Sequence, residues 1–396
     1  MNRFSSIRKW FCAAALIIML PLTAAAGGKQ ALMVVGIDEK VLWNDAGKMV
    51  FYPPGKDMVL IMDIGTDPLA PRIIASLPLM NSIFGPPTNL QITPDESLAL
   101  VANSLTMVKD GDAWKTAPDN KLYVIDLKAS PPALIDTIEV GKQPSGLSIN
   151  SKGTLALVAN RADNSISVVS IEGKTVKLID TVAIGVSVAA VKFIPNGKRA
   201  LAVEFPNHKV AVLDVDGTKV TYNKDYDIMV GLWPYNIDVT PNGQIALTAD
   251  NGNAGSADGN VDTVSVIDLE HNPPYDIDKV VVGDQPEGLA ISPTGKIAVV
   301  PLIRGSKVAT NAWFYHRNGT VVVLKIDGKK VTKINEVEVR GDPEGVVFSA
   351  DGKYLYIANF NDSDISILRV NGTEVTDTGK SLKLPGHPAS MRGPAR

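Results

Sequence analysis

The sequence predicts an all-β fold, a ring of seven four-stranded antiparallel sheets in which the two termini close the ring on one blade: a seven-bladed β-propeller. Three observations carry this. A six-residue phrase, apolar at its first, third, fourth and sixth positions, occurs seven times: VLIMDI (59–64), LYVIDL (122–127), ISVVSI (166–171), VAVLDV (210–215), VSVIDL (264–269), VVVLKI (321–326) and ISILRV (365–370). A turn-and-strand phrase precedes it at a period of roughly 44 to 57 residues, the spacing of propeller repeats. Each unit also holds four short apolar stretches, too short and too rich in β-branched residues for helices.

Residues 1–26 read as a secretory signal peptide, leaving 27–396 for the propeller. Arg3, Arg8 and Lys9 precede an apolar run from Trp10 to Leu22, and Ala24-Ala25-Ala26 supplies small residues for cleavage before Gly27. The run is shorter than the roughly 20 residues of a membrane-spanning helix. The only cysteine, Cys12, lies inside it, so the mature chain has no disulfide and depends on its apolar core. Cleavage removes three basic and no acidic residues, leaving 36 Lys and Arg against 42 Asp and Glu. That acidic balance, without a basic run, argues against nucleic acid as a partner, and nothing suggests membrane insertion after cleavage. The expected location is the periplasm or the medium, and the expected state a monomer.

Along the chain, a Pro-x-Gly-like turn leads into a short strand that ends in Ser-Pro-Asp-Gly-Lys or a relative: PTNLQITPDE (87–96), PSGLSINSKG (144–153), VAAVKFIPNG (188–197), PYNIDVTPNG (234–243), PEGLAISPTG (286–295) and PEGVVFSADG (343–352). EKVLWNDAG (39–47) reads as a degenerate first copy. Gly and Asn tolerate positive φ and Pro presets φ, so each phrase reverses sharply. A second strand follows, MVFYPP (49–54) in the first unit and LALVAN, LALVAN, LAVEFP, IALTAD, IAVVPL and LYIANF in the others. The hexapeptide is third, with its polar fifth position near the exit, and stretches such as VKLIDTVAIG (176–185) are fourth. ALMVVG (31–36) is a strand without its own repeat and GHPASMRG (386–393) the opening of a unit with nothing behind it; the two ends are expected to share a blade.

Phrases such as PEGVVFSADGKYLYIANFNDSDISILRV (343–370) closely resemble the YVTN-repeat propellers of exported bacterial and archaeal proteins, relatives of the lactonase-type seven-bladed propellers. The resemblance covers about residues 39–392 and implies the fold more than an activity. The lactonase branch uses His, Arg and Glu side chains at the channel mouth. Here the fourth unit, SVAAVKFIPNG (187–197), has no His beside its opening strand.

In a four-stranded blade the connection into the innermost strand and the one between second and third strands open on the same face. Three units enlarge the latter: 104–120, 251–262 and 303–319. This face is the functional candidate. In the third insertion Arg304, Trp313, Phe314, Tyr315, His316 and Arg317 form an aromatic and cationic cluster suited to a ligand or partner; the plain alternative is two capping aromatics beside solvated charges. Trp114, and Trp233 with Tyr235, are expected on the same rim, the GLWPYN segment more for packing than for binding. Glu287 and Glu344 share a register, with Arg340 close by, and are acid/base candidates; the simpler reading has each Glu bonding backbone amides in a turn. Asn103, Asn160, Asp250 and Asn359 share another register and are expected to bond the following loop, Glu204 being the departure. Asp250, Asn251, Asp258 and Asp262 form a weak candidate for calcium, lacking EF-hand spacing. No other cofactor or metal is expected, since no zinc, P-loop, dinucleotide or nucleophile-elbow pattern is present.

The leading expectation is an exported binding or scaffold propeller that recognises an envelope protein or a small ligand through its loop-bearing face. The alternatives are a lactone hydrolase or cycloisomerase using Glu287, Glu344, Arg340 and His316, and an accessory subunit of a periplasmic redox enzyme.

Overall fold

Each hexapeptide forms a strand whose apolar positions are buried, as in Val210, Val212, Leu213 and Val215 with Asp214 exposed. The computed structural model describes residues 29–396, so the expected signal peptide lies outside the described residues. Seven antiparallel sheets of four strands make the ring, the fourth carrying an additional short strand, Ile228–Met229. Blades 2 to 7 are each built from consecutive strands; blade 3 runs Pro144–Ile149, Leu155–Asn160, Ser165–Glu172 and Thr175–Ala183.

Blade 1 settles which end supplies which strand. The C-terminal Pro388–Arg392 is innermost, and the N-terminal Leu32–Ile37 is second, paired Val34 to Arg392 and Val35 to Met391. The stretch at 39–54, expected as a first repeat, is instead an insertion between the second and third strands of this blade. Val41–Trp43 and Met49–Phe51 form a separate two-stranded hairpin.

The core lies between blades, because each sheet is apolar on both faces. Leu247 and Val266 of blade 5 pack with Val300 and Val322 of blade 6, and Met33 and Leu60 of blade 1 with Tyr356 and Ile367 of blade 7. Each such side chain contributes about 1.5–3 kcal/mol by leaving water, but only while the neighbouring blade covers it.

First and second strands are joined by five residues in six blades. In five of them a glycine sits at positive φ, for example Gly153 at 70°, and in blade 2 Glu96 takes that place at 54°. The Pro-x-Gly segments are not turns. They begin the innermost strands, with a register shift between Pro144 and Leu147 and between Pro343 and Val346. Their glycines allow adjacent innermost strands to approach: a Cβ on Gly288 would meet Glu344 O at 2.2 Å. The polar fifth position of the hexapeptide is likewise not always an exit. Asp63, Asp126 and Asp268 are buried and bond the amides of the turn that follows, as in Gly65 N to Asp63 Oδ1 at 3.1 Å.

The enlarged connections share one face, here the upper one. Thr310 N donates to Asp45 O at 3.1 Å, joining the 303–319 insertion to the hairpin. The ring of Trp313 covers Gly259 of the 251–262 insertion. The 104–120 insertion prolongs its two strands as a ribbon, Leu98–Asp110 against Ala113–Asp126, which lies against Met49–Phe51. Among the described residues no helix is long and apolar enough to cross a membrane.

Candidate functional site

Depth in the channel follows position along the innermost strands, which all run from the upper face toward the five-residue turns. Their second residues therefore sit near the upper mouth, and in blades 5, 6 and 7 these are Tyr235, Glu287 and Glu344. Both glutamates are buried, and neither bonds a backbone amide as a turn carboxylate would.

They face Lys307 of the third insertion instead. Its Nζ lies 3.8 Å from Glu287 Oε2, 3.8 Å from Glu344 Oε1 and 3.4 Å from Asp342 Oδ1. These separations exceed hydrogen-bond length, so attraction holds the group together without saturating it. Asp342 is fully buried and precedes the innermost strand of blade 7 at φ 54°, a left-handed conformation costly for a non-glycine residue. On its other side Lys307 lies 5.2 Å from the centre of the Trp43 ring.

Trp43 belongs to the inserted hairpin, whose base is tied down by a second buried cluster. Lys40 Nζ contacts Asp57 Oδ2 at 2.6 Å, Asp38 Oδ1 at 3.1 Å and, more closely, the carbonyl of Asn81. From Asn81 the chain crosses the mouth: Gly85, just before blade 2, donates its N–H to Tyr235 OH of blade 5 at 3.0 Å. Hairpin and crossing segment together roof the channel, packing Val41, Ile83, Phe360 and Trp43. Beneath them is a cavity of about 290 Å³ bordered by Trp43, Phe84, Tyr235, Gln285, Glu287 and Lys307. Arg161 enters from blade 3, its guanidinium 4.8 Å from the Phe205 ring and 5.8 Å from that of Tyr235.

Burial governs the electrostatics. It raises the carboxyl of Glu344 well above the ordinary range, helped by the charges of Glu287 and Asp342 and opposed by Lys307. Glu287 and Asp342 are also raised, first by burial, with Lys307 as the main restraint. Lys307 goes up despite its own burial, because Asp342, Glu287 and Glu344 surround it. Burial pushes Tyr235 up to about 12. The charge of Asp342 thus opposes ionisation of Glu344, while Lys307 favours it for both.

Several buried polar atoms have no partner within the protein: Glu287 Oε2, both oxygens of Asp342 and Glu344, Gln285 Oε1, Asn251 Oδ1 and Arg161 Nη1. Glu287 and Gln285 are acceptors on the cavity wall, and leaving a buried acceptor unmade costs about 1–3 kcal/mol.

Of the residues singled out in the sequence, Glu287, Glu344 and Tyr235 come together here. Tyr315 and Arg317 line an adjoining groove of about 250 Å³ that also includes Trp43 and Lys307. Trp313 is 82% exposed and packs edge-on against Phe314 at 5.3 Å; His316 is exposed and Arg304 half-buried. Arg340 is turned to Asp364 and to Ser381 Oγ at 3.2 Å, on the outer strands of blade 7. The four-residue set of Glu287, Glu344, Arg340 and His316 is therefore not assembled. Glu204 sits inside blade 4, accepting from Tyr222 OH at 3.0 Å. Trp233 packs with Phe205 and His208, and Trp114 sits on the ribbon beneath Lys109. Asn160 and Asn359 bond side chains of the strand that follows, Ser167 at 2.9 Å and Ser366 at 2.8 Å. Asp250 does so too, accepting from Thr263 and Ser265 as well as from Thr248 of its own strand, while Asp262 accepts Gln285 N and Asp258 bonds Asn260 N. Asp250, Asp258 and Asp262 thus bond separate protein groups, and among the described residues no three His, Cys, Asp or Glu side chains are grouped to hold a metal.

Sequence reasoning missed Lys307, Asp342, Arg161, Trp43 and the crossing segment. Two of these had a signal: Asp342 occupies the place immediately before the Pro-Glu-Gly phrase, and Arg161 directly follows Asn160.

No protein-family model and no curated protein matches the chain. Solved structures match by fold. A 6-phosphogluconolactonase candidate from Bacteroides fragilis is 16% identical with a TM-score of 0.69, covering 94% of this chain and 99% of that one. The periplasmic gluconolactonase of Pseudomonas aeruginosa is 17% identical with a TM-score of 0.67, covering 92% and 99%. Kuenenia stuttgartiensis hydrazine synthase is 19% identical with a TM-score of 0.56, covering 73% and 78%. These likenesses are of fold, a seven-bladed β-propeller.

Proposed function

We propose that this chain is an exported propeller that binds a small hydroxylated molecule, of about monosaccharide size, in the roofed upper mouth of its channel. The observation that carries the reading is the acceptor-lined cavity: Glu287 Oε2 and Gln285 Oε1 lack donors, beside a lysine held too far away to supply them. Ligand hydroxyls donate to such acceptors, while Trp43, Phe84 and Tyr235 provide apolar and aromatic walls. Export is supported by the signal-like residues 1–26 and by the periplasmic location of one structural neighbour.

A second reading, hydrolysis of a cyclic ester, is favoured by one detail: Glu287 is the carboxyl that both borders the cavity and faces Lys307. A water attacks the ester carbonyl while Glu287 takes its proton. The positive charge of Lys307 and Arg161 stabilises the resulting oxyanion, and Glu287 returns the proton to the departing ring oxygen, so hydroxy acid forms and the carboxylate is regenerated.

Titrating a panel of monosaccharides and their lactones against Trp fluorescence, with ring opening followed in parallel, tests both. Binding is expected in the wild type and a loss of about tenfold or more in Glu287→Gln, which exchanges an acceptor for a donor. Saturable binding that E287Q leaves intact would remove the site; binding without turnover above the spontaneous rate would remove hydrolysis alone.

A further inference from the structure

The opposite end of the channel carries different chemistry. At the fifth position of the innermost strands, Gln91, Ser148 and Asp238 each accept the N–H of the sixth residue in the next blade: Ile149 at 2.8 Å, Phe193 at 3.1 Å and Ile291 at 2.9 Å. These bonds form a belt that ties neighbouring blades. Lys192 and Arg392 hold the same position in blades 4 and 1 and are donors only, so they cannot join the belt.

Asp238 does not neutralise both. Its Oδ1 takes Lys192 Nζ at 2.7 Å and Val239 N at 3.0 Å, and its Oδ2 takes Ile291 N. Arg392 makes one hydrogen bond, to Leu147 O at 2.9 Å, and among the described residues no carboxylate lies within ion-pair distance of it. Burial lowers the basicity of Lys192 and of Arg392, as expected of cations crowded out of water.

Both cations, together with Arg396, border a cavity of about 330 Å³ whose polar wall also includes Asn236, Gln91, Asp238 and the hydroxyls of Thr88 and Ser292. Asn236 is 1% exposed; its Oδ1 is taken by Ile237 N at 2.9 Å, and its Nδ2 has no partner. Gln91 has likewise spent its oxygen on the belt, leaving its amide N–H groups. Leu289, Val347 and several prolines make the remaining wall apolar.

We propose that this lower cavity binds a small organic carboxylate, held by Arg392 with Asn236 and Gln91 as further donors, its apolar body against the proline-lined wall. Among the side chains lining this cavity three cations, Lys192, Arg392 and Arg396, face one carboxylate, Asp238, which is paired with Lys192; that excess suits an anion, and a planar guanidinium matches a carboxylate in two-point contact. The site is distinct from the upper mouth, where acceptors line the cavity.

Calorimetric titration of the mature chain with propionate, and with inorganic phosphate at matched ionic strength, tests this. One-site binding of propionate is expected, weakened about tenfold or more by Arg392→Gln and by Asn236→Asp, which keeps the bond to Ile237 N but turns a donor into a negative charge. E287Q is expected to bind propionate as the wild type does. Absence of saturable propionate binding, binding unchanged in a folded N236D, or phosphate bound as tightly as propionate would each overturn the proposal.

Discussion

Lys40 and Lys307 are both enclosed by carboxylates on the upper face, yet they are built to opposite specifications. Lys40 is fully buried and its three contacts, to Asp38, Asp57 and the carbonyl of Asn81, match the three N–H donors of an ammonium group. Lys307 retains 15% exposure, stands 3.4–3.8 Å from three carboxyls and leaves their oxygens unbonded. The first arrangement is closed and holds the hairpin and crossing segment to blade 1. The second is open to a cavity and has capacity left for a ligand. Satisfaction of hydrogen bonds, more than burial or charge, separates a structural ion cluster from a candidate site.

The largest effect that would test this contrast is expected at Lys40. Lys40→Met removes the one cation that, among the described residues, faces Asp38 and Asp57, and leaves them buried with their charges uncompensated. Breaking a buried pair in this way costs about 3–5 kcal/mol. Urea unfolding monitored by tryptophan fluorescence should show a loss of that order; a shift of a few tenths would mean that the cluster is not what anchors the roof.

A smaller effect, with a distinctive pH dependence, is expected at Lys307. Glu287, Asp342 and Glu344 are already raised toward their neutral forms, and removing the lysine raises them further. A carboxyl whose pKa is higher folded than unfolded binds protons more tightly when folded, so stability falls as pH rises above the unfolded value near 4.5. Lys307→Met should therefore be close to neutral at pH 5 and destabilising by about 1–3 kcal/mol at pH 8. Equal losses at both pH values would show that the three carboxyls stay ionised and that the comparison with Lys40 is misdrawn.

How much of this was legible beforehand depends on periodicity. The seven hexapeptides, their turns and the shared face of the insertions repeat, so one copy informs the others. The hairpin at 41–51 imitates that repeat, with an Asn44-Asp45-Ala46-Gly47 turn between two apolar stretches, and local pattern alone cannot distinguish it from the opening of a blade. Ring closure followed from two unmatched ends, but both ends read as strand, so only the pairing of Val34 with Arg392 assigns them. Glu287 and Glu344 could be found because they share a register. Lys307 could not, since it lies in an insertion without period and reaches the carboxyls only through the curvature of the ring. Arg340 and His316 failed for the same reason in reverse: nearness in sequence to Glu344 and to the aromatics said nothing about direction, and Arg340 turns to Asp364.

The smallest expected effect concerns Arg317, which sharpens the comparison by adding a pair that is neither closed nor buried. Its guanidinium meets Asp362 in two-point contact, at 3.0 and 2.5 Å, with the arginine side chain 57% exposed. Exposed pairs are worth about 0–1 kcal/mol after screening and side-chain entropy, so Arg317→Ala should leave the unfolding midpoint nearly unchanged. Its information is functional. Arg317 lines the groove that shares Trp43 and Lys307 with the roofed cavity, and a ligand confined to that cavity does not reach it. Ligand affinity in R317A should therefore match the wild type. A loss of tenfold or more without a change in stability would extend the binding site outward across the Tyr315 groove, and with it the size of the molecule that the upper face accepts.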